Sequence, residues 1–265
     1  MDKDYYVITE TFGEVAENHV GMQKLGKIKN KGEGMTLEDL QIAKEKFESK
    51  GYECDIIDLV ETGEVQDIFP KPEPAYILII RNGYEVFLKD DEYLENINKE
   101  QTGLVWDSKA LMRGRVVNKI ARTNLVFAEE SQEPDYEVGK GRVYAFSDLP
   151  ILNRIRKMLP DYFGPKASDL FCEGNHYYDL EKCGIGLHGD SERRIVIALR
   201  VGNINMNLQY QWFQRSAPIG KRIELDLQPG DMYVMSEKAV GTDWKSKIIP
   251  TLRHAAGAKK YLVAK

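Results

Sequence analysis

The chain has 265 residues, of which 42% are hydrophobic and 30% are charged, with 22 glycines and 10 prolines. This is the composition of an ordinary globular protein, and it excludes collagen, coiled-coil rods and wholesale disorder. The formal net charge of -5 argues against a basic nucleic-acid coat protein but leaves a local basic face open. The length accommodates one large β-rich domain, or a domain of about 190 residues with a smaller appendage.

The sequence carries no signal for membrane insertion or secretion. It has no run of about 18 apolar residues, and its N-terminus, MDKDYYVITE, lacks the basic start and apolar core of a signal peptide. The cysteines Cys54, Cys172 and Cys183 form no close pair, which indicates a reducing compartment and no disulfide framework. We therefore expect a soluble intracellular protein, cytoplasmic or nuclear, with no membrane partner.

The N-terminal part predicts a loop, a helix and a strand, in that order. Residues 21–35 combine glycine and lysine and predict a mobile loop. Thr36, with Asp39 three residues later, predicts a helix start, and apolar residues then recur every three or four positions until Gly51 ends the helix. Residues 52–60 predict a strand.

A linker then divides the chain in two. Three prolines within residues 69–74 stiffen an extended segment. We expect residues 1–70 to form an N-terminal α/β extension or a small module. Residues 71–265 should form the main domain, with its core at about 170–265.

The main domain is predicted to be mainly β. Asn82-Gly83, between two apolar runs, predicts a hairpin, and residues 149–159, which precede Pro160, predict an amphipathic helix. The close spacing of short strands favours a sandwich or small barrel over a βαβ sheet. The C-terminal strands are predicted at 184–188, 195–201, 207–213, 221–227, 232–236, 251–255 and 259–264.

Three residues in this region have the pattern of a metal site. His188 and Asp190 form an H-x-D pair where a predicted strand enters a turn. His254 is the only later histidine that could join them. Together they would make a two-histidine, one-carboxylate triad, which leaves positions on iron(II) open for oxygen and a bidentate cosubstrate. The plainer interpretation is a strand-end turn in which His188 forms hydrogen bonds and Asp190 acts as a cap.

The stretch 175–202, NHYYDLEKCGIGLHGDSERRIVIALRVG, resembles the core of the AlkB-like 2-oxoglutarate- and iron(II)-dependent dioxygenases. The similarity covers roughly residues 170–260, and Gln-Pro-Gly-Asp at 228–231 matches a later turn of that family. The resemblance implies a double-stranded β-helix core with flanking helices. It also implies that Asn175 and Tyr177 hydrogen-bond 2-oxoglutarate, and that His188, Asp190 and His254 bind iron.

Two alignments of the C-terminal strands with the family pattern leave open which residue would bind the carboxylate of 2-oxoglutarate that lies far from the iron. A buried carboxylate needs a charged partner, and the family supplies an arginine. If His254 is the distal iron ligand, the anchor follows on the last strand as Lys260 or Lys259. If Thr251-Leu252-Arg253 matches the family's T-F-R segment, the anchor is Arg253.

Several basic and aromatic residues are candidates for binding the oxidised substrate. The segment 107–125 carries a surplus of positive charge that would suit phosphates, either as a lid over the site or as a merely solvated face. Arg193 and Arg194 follow the H-x-D turn, where they could bind a substrate anion or simply be exposed. Tyr210 could stack on a base or fill the barrel. The basic residues of the segment are Lys109, Arg113, Arg115, Lys119 and Arg122.

The family resemblance implies an oxidoreductase that uses iron(II), 2-oxoglutarate and O2 to demethylate or hydroxylate alkylated nucleic-acid bases, as in DNA repair. One alternative is a 2-oxoglutarate-dependent hydroxylase of a protein side chain or a free amino acid. A second is a catalytically inactive β-helix that serves as a binding module, for which loss of the anchoring arginine would be the signature. The other two histidines have structural explanations, since His176 should face away from the site and His19 has no ligand spacing.

Overall fold

A computed structural model describes residues 5–263 and shows a mixed α+β protein that is mainly β. Within that range there are sixteen strands and seven α-helices, and none of these helices is long and apolar enough to cross a bilayer. The strands are β1 (Val7–Gly13), β2 (Val15–Glu17), β3 (Lys24–Gly26), β4 (Cys54–Asp58), β5 (Tyr76–Ile80), β6 (Lys109–Met112), β7 (Arg115–Asn118), β8 (Thr123–Ala128), β9 (Val143–Ala145), β10 (Phe171–Tyr177), β11 (Gly184–His188), β12 (Val196–Gly202), β13 (Leu208–Gln214), β14 (Ala217–Leu225), β15 (Met232–Met235) and β16 (Thr251–Gly257). The helices are α1 (Leu37–Glu48), α2 (Leu59–Thr62), α3 (Glu85–Leu88), α4 (Tyr93–Thr102), α5 (Pro150–Phe163), α6 (Glu237–Val240) and α7 (Lys259–Leu262).

Most strands belong to two sheets. The larger has eight strands in the order β4-β5-β15-β12-β1-β10-β8-β9, antiparallel except for the parallel pair β8 and β9. The smaller has four strands in the order β11-β16-β13-β14. Two short hairpins, β2–β3 and β6–β7, stand apart from both sheets. The β-rich interpretation of the C-terminal third is therefore confirmed.

The large sheet is buried on both faces, which gives the protein three layers. Ile197 and Leu199 of β12 face a core shared with α1, α3, α4 and α5. Val196 and Ala198 face a second core, shared with β13, β14 and β16 of the small sheet. Because side chains alternate along a strand, β12 supplies both cores, and its sequence is apolar apart from Arg200.

The first strand of the chain lies in the middle of the large sheet. β1 pairs along its length with β10 on one side and with β12 on the other, antiparallel to both. β4 also joins this sheet, beside β5. The described part of the range 1–70 therefore shares a sheet with strands of the range 71–265.

The predicted helices and most predicted strands are present. Helix α1 begins after Thr36, whose side chain accepts from the Asp39 backbone while the Asp39 carboxylate accepts from Thr36. Helix α5 covers the predicted 149–159 helix and continues through Pro160 to Phe163. It presents its apolar side to the core beneath the large sheet, as its periodicity predicted.

The hairpin predicted at Asn82-Gly83 is wrong. Asn82 does turn the chain, with φ of 51°, but helix α3 follows instead of a second strand. The Asp231 side chain accepts from the guanidinium of Arg81 at 2.5 Å and from the Asn82 backbone at 3.2 Å. The turn therefore docks on the Gln-Pro-Gly-Asp turn, and β5 pairs with β4 and β15, which are distant in sequence.

The strand predicted at 259–264 is also wrong. Lys259–Leu262 form helix α7, and residue 264 lies outside the described residues. A further strand beside β16 has no free edge to pair with, because β11 and β13 already occupy its two sides. Gly257, with φ of 97°, turns the chain into this helix.

One carboxylic acid is buried on the helix-facing side of the large sheet. Glu10 of β1 is 0% exposed, its Oε2 accepts from the Cys172 thiol at 3.4 Å, and its Oε1 has no partner. Burial raises the pKa of Glu10 to about 8. The Cys172 hydrogen bond opposes this shift, whereas the nearby carboxylates of Glu100 and Glu173 add to it.

The pKa of Glu10 in the folded protein is higher than the roughly 4.3 of a free carboxyl group. The protonated Glu10 therefore makes a contribution to the free energy of unfolding that is fully present below about pH 4 and is lost as the pH rises towards 8. Glu10→Gln removes the charge and keeps the shape. We expect this variant to exceed the wild type in free energy of unfolding at pH 8–9, on the order of 2–4 kcal/mol, with a smaller gap at pH 5. Urea denaturation across this pH range measures the difference. The exposed Glu130→Gln is the control, and a pH-independent gap for Glu10→Gln would contradict the expectation.

Candidate functional site

The H-x-D pair and the late histidine meet at one end of the small sheet. His188 ends β11, Asp190 lies in the turn after it, and His254 is the cross-strand partner of His188 on β16. Asp190 Oδ1 lies 3.4 Å from His188 Nε2 and 3.8 Å from His254 Nε2. The three groups offer ligand atoms that all lie within 4.8 Å of one another. Two ligands bound at about 2.1 Å to one ion lie about 3–4 Å apart, so the spacing fits a single metal.

Both imidazoles are in a state that can bind a metal. His188 Nδ1 lies 2.8 Å from the Gly186 carbonyl and 3.1 Å from the His254 carbonyl. Carbonyls only accept, so Nδ1 carries a proton, and Nε2, which faces Asp190, is the ring nitrogen directed towards a metal. Burial lowers the pKa of His254 to about 3, with His188 adding to the shift and Asp190 opposing it, so this ring is neutral at pH 7.

Arg193 compensates the negative charge of the site. It is 3% exposed, and its guanidinium pairs with Glu173, with Glu192 at 3.1 Å and with Asp190 at 3.6 Å. Burial opposes ionisation of Asp190, but the charge of Arg193 keeps the pKa of that carboxyl well below its usual range. Asp190 is therefore an ionised carboxylate, as a metal ligand must be.

The glycine between His188 and Asp190 is required by a close backbone approach. A Cβ on Gly189 would lie 2.1 Å from the Gly241 carbonyl oxygen. The Asp190 backbone N–H donates to the Val240 carbonyl at 3.0 Å. The turn is thus pinned against the end of helix α6, which fixes the direction of the Asp190 carboxylate.

The triad faces a cavity of about 820 Å³ that is lined by both sheets and by the β2–β3 hairpin. Trp244 and Lys245, in the loop before β16, also line it. One row of cross-strand partners runs along its wall in the large sheet, from β12 through β1 and β10 to β8. The members of that row are Arg200, Thr9, Asn175 and Asn124.

Arg200 is the least expected residue of the cavity. It is 2% exposed, its Nη1 donates to Thr9 Oγ1 at 2.6 Å, and its Nε has no partner. It forms no ion pair with any carboxylate of residues 5–263. Its positive charge acts on Tyr233, where it offsets part of the burial that raises the pKa of that hydroxyl to about 12. A buried guanidinium with no counter-ion among the described residues is available to pair with an anion from solution.

Asn175 and Tyr177, the residues predicted to hydrogen-bond the cosubstrate, both line the cavity. Asn175 Oδ1 accepts from Arg122 Nε and from Asn124 Nδ2, each at 2.6 Å. Tyr177 is buried, which raises its pKa, and the positive charges of Arg122 and Arg200 offset part of that shift. The two side chains thus stand between two arginines on the cavity wall.

None of the predicted anchors lines the cavity. Lys259 and Lys260 are exposed on α7, because the segment predicted as a strand is a helix that continues outward from β16. Arg253 lies on the opposite face of β16 from His254, with its guanidinium 3.8 Å from the Phe213 ring centre and 5.1 Å from that of Trp244. It serves as a packing partner for these rings.

The predicted substrate residues also lie elsewhere, with one exception. Arg193 lines the cavity but is occupied by three carboxylates. Arg194 pairs with Glu237 at 2.8 Å in the wall of a second cavity. Arg113 and Arg115 are exposed at the end of the β6–β7 hairpin and do not line the cavity. Tyr210 is fully buried between the sheets beside the His254 ring, so it cannot stack on a substrate.

The other two histidines differ from each other. His176 faces away from the cavity, among Tyr6, Trp106 and Tyr178, as the sequence predicted. Its pKa is lowered to about 4 by burial. His19, for which no role was predicted, lines the cavity from the β2–β3 hairpin.

Sequence reasoning missed the role of Arg200, although a signal for it exists. Arg200 is the single charged residue within the run Ile195–Val201, IVIALRV, which was predicted as a strand. Burying a charged side chain within an apolar strand costs free energy unless the charge is paired. A lone arginine in such a strand is therefore a candidate for binding an anion. The contributions of Thr9 and of the β2–β3 hairpin have no such signal, because they depend on which strands become neighbours.

Comparison with models of known protein families finds no match. The uncharacterized protein R156 of Acanthamoeba polyphaga mimivirus is 49% identical to this chain over 255 residues, which cover 96% of this chain and 97% of the viral protein. The chain belongs to the same protein family as R156. Identity at this level over nearly the full length of both proteins implies that they share the two-sheet fold.

The metal site is tested by removing one ligand. His254→Ala is expected to weaken Mn(II) binding by roughly 100-fold or more, because it leaves only one imidazole and one carboxylate. Isothermal titration calorimetry of the full chain measures the affinity, and circular dichroism checks that the variant is folded. His176→Gln is the matched control, since it alters a buried histidine that faces away from the cavity. Equal Mn(II) affinity for His254→Ala and the wild type would show that the triad holds no metal.

Proposed function

We propose that this protein is a 2-oxoglutarate- and iron(II)-dependent dioxygenase. The observation that carries the proposal is the presence of Arg200, buried and without a counter-ion among residues 5–263, in the same cavity as the His188, Asp190 and His254 triad. A two-histidine, one-carboxylate triad with open positions is typical of non-haem iron(II) oxygenases. A dicarboxylate cosubstrate needs one group that binds the metal and one cation for its far end.

The donor set fits iron(II), and the cavity fits the cosubstrate. The triad approaches from the small sheet, so the remaining coordination positions would face the cavity. Arg200, held by Thr9, would pair with the far carboxylate of 2-oxoglutarate from the large sheet. Tyr177 lies on the same wall and would donate its hydroxyl to a carboxylate oxygen.

When bound, iron(II) would supply dioxygen activation, in which 2-oxoglutarate is oxidised to succinate and CO2 while one oxygen atom is inserted into a C–H bond of the substrate. The chain itself supplies the geometry and the charge balance. Arg193 keeps Asp190 ionised and oriented, and the carbonyls at Gly186 and His254 hold His188 Nδ1 so that Nε2 would point towards the metal.

The strand order supports a double-stranded β-helix as the scaffold. In a fold of this kind, two four-stranded antiparallel sheets enclose the site. The small sheet, β11-β16-β13-β14, would be one of them, and β10-β1-β12-β15 of the large sheet would be the other. In this arrangement the N-terminal strand β1 completes the second sheet between β10 and β12.

The AlkB-like resemblance extends the proposal to alkylated or modified nucleic-acid bases as substrates. The β6–β7 hairpin supports this extension, because Lys109, Arg113 and Arg115 are exposed on it and available to phosphates. The inactive binding module is less favoured, since Arg200 lines the cavity and would serve as the arginine whose loss would have been the signature of that module.

The test of the proposal is the cosubstrate affinity of Arg200→Gln. Removing one partner of a buried charged pair costs at least about 2 kcal/mol, so the dissociation constant for 2-oxoglutarate should rise about 30-fold or more. Binding is measured without oxygen, from the visible charge-transfer absorbance of the iron(II) complex. Succinate formation from 2-oxoglutarate in air should fall in parallel.

Arg253→Gln and Lys260→Gln are the matched controls, because each removes a positive charge outside the cavity. Both are expected to keep the wild-type affinity for 2-oxoglutarate. The assignment of Arg200 is overturned if one of the controls loses affinity and Arg200→Gln does not. The dioxygenase proposal itself fails if the wild-type protein with iron(II) neither binds 2-oxoglutarate nor forms succinate.

A further inference from the structure

The five basic residues of the segment 107–125 are divided between two places. Lys109, Arg113 and Arg115 are exposed on the β6–β7 hairpin. Lys119 and Arg122 follow the hairpin and are partly buried as the chain approaches β8. Arg122 lines the cavity, and Lys119 is linked to the cavity wall through Asn18.

Arg122 spans the edge of the cavity without meeting a carboxylate. Its Nε donates to Asn175 Oδ1 at 2.6 Å, and its Nη1 lies 3.5 Å from the Gly184 carbonyl of β11. Its partners among residues 5–263 are therefore neutral oxygen atoms. Asn175 also donates to Glu173 at 3.2 Å, and Glu173 in turn pairs with Arg193.

Lys119 is in a similar position. Its Nζ donates to the Asn18 side chain at 2.7 Å and to the Asn18 carbonyl at 3.3 Å. Burial lowers its pKa to about 8, the Asp107 carboxylate opposes this shift, and the charge of Arg122 adds to it. Asp107 itself accepts from Asn18, Tyr136 and the Arg142 backbone, and makes no ion pair with Lys119.

The remaining groups on this side of the cavity carry both signs of charge, because Glu17 and Glu173 line it together with Lys24. His19 lines the cavity nearby, and both Lys119 and Arg122 act on it electrostatically. Lys24 also lines this side, where its charge stabilises the ionised form of Glu17. Glu17 is satisfied locally, since its Oε1 accepts from the Gly21 backbone at 2.9 Å.

This cluster is separate from Arg200. The row Arg200, Thr9, Asn175 and Asn124 crosses four adjacent strands of the large sheet. Three inter-strand steps of about 4.8 Å place the backbones of Arg200 and Asn124 about 14 Å apart. Arg122 precedes Asn124 by two residues, on the same side of the chain. A cosubstrate anchored at Arg200 would therefore leave Arg122 available for a second molecule.

We propose that Arg122 and Lys119, with Asn18 and His19, form a second anion subsite that binds a compact carboxylate or phosphate of the substrate to be oxidised. This assignment rests on the proposed dioxygenase function for its role in catalysis, although anion binding can be measured independently of it. Arg122 would meet the anion directly from the cavity edge, and Lys119 would support it through Asn18 and through its positive charge. The substrate is thus held at the edge of the cavity, with its remainder directed towards the triad.

The test measures binding of inorganic phosphate and of acetate to the full chain, without metal or 2-oxoglutarate, by titration calorimetry. Arg122→Gln is expected to weaken binding of the preferred anion at least about tenfold, and Lys119→Gln to act in the same direction. Arg154→Gln removes the same charge from an exposed position on helix α5, far from any proposed binding residue in the sequence, and should leave the affinity unchanged. Arg200→Gln should retain an anion site that is sensitive to Arg122. Tighter binding of phosphate would assign a phosphorylated substrate, and tighter binding of acetate a carboxylic acid.

Cosubstrate binding distinguishes this subsite from the proposed 2-oxoglutarate site. With iron(II) and no oxygen, Arg122→Gln should bind 2-oxoglutarate as the wild type does, whereas Arg200→Gln should not. If Arg122→Gln loses 2-oxoglutarate as severely as Arg200→Gln, Arg122 belongs to the cosubstrate site and the inference is overturned. It is overturned as well if Arg122→Gln binds both anions as tightly as the wild type, or if the wild type binds neither.

Should Arg122→Gln fail to fold, Arg122→Lys combined with Lys119→Gln provides the comparison. Phosphate binding that depends on Arg122, without any 2-oxoglutarate binding, would retain the subsite and remove the dioxygenase proposal.

Discussion

The pairing of β1 with β10 and β12 is the constraint on which the cavity depends. These seven residues come from the start of the chain, yet they lie in the middle of the eight-stranded sheet and are paired on both edges. They bring Thr9 beside Arg200 and complete the row that ends at Asn124. Without this strand, β10 and β12 would each expose an edge, and the buried guanidinium would lose its hydrogen-bond partner.

The two faces of β1 illustrate how one strand serves two environments. Glu10 points into the apolar layer beneath the helices, where burial favours its neutral form. Thr9 and Thr11 point into the cavity, where hydroxyl groups can meet charged partners. The alternation of side chains along the strand separates the two environments by a single peptide unit.

Charge balance divides the arginines of the cavity into two kinds. Arg193 is surrounded by the carboxylates of Glu173, Asp190 and Glu192, so it is a structural counter-ion that fixes a metal ligand. Arg200 and Arg122 have only neutral partners among the described residues. Burial of a charge is costly unless it is compensated, and a ligand that brings its own negative charge provides that compensation. This difference in partners is what separates supporting residues from candidate binding residues.

Local pattern in the sequence determined the elements whose signals lie close together. The capping pair Thr36 and Asp39, the amphipathic period of helix α5 and the H-x-D turn each depend on residues a few positions apart, and the structure agrees with them. The pairing of His188 with His254 was also anticipated, because few histidines exist to choose from. Only the tertiary structure decided that Arg200, and not Arg253 or a lysine of α7, faces the cavity. It likewise decided that the turn at Asn82 docks on Asp231 instead of forming a hairpin. These outcomes depend on which strands become neighbours across more than a hundred residues of chain, and propensity and periodicity carry no information about that choice.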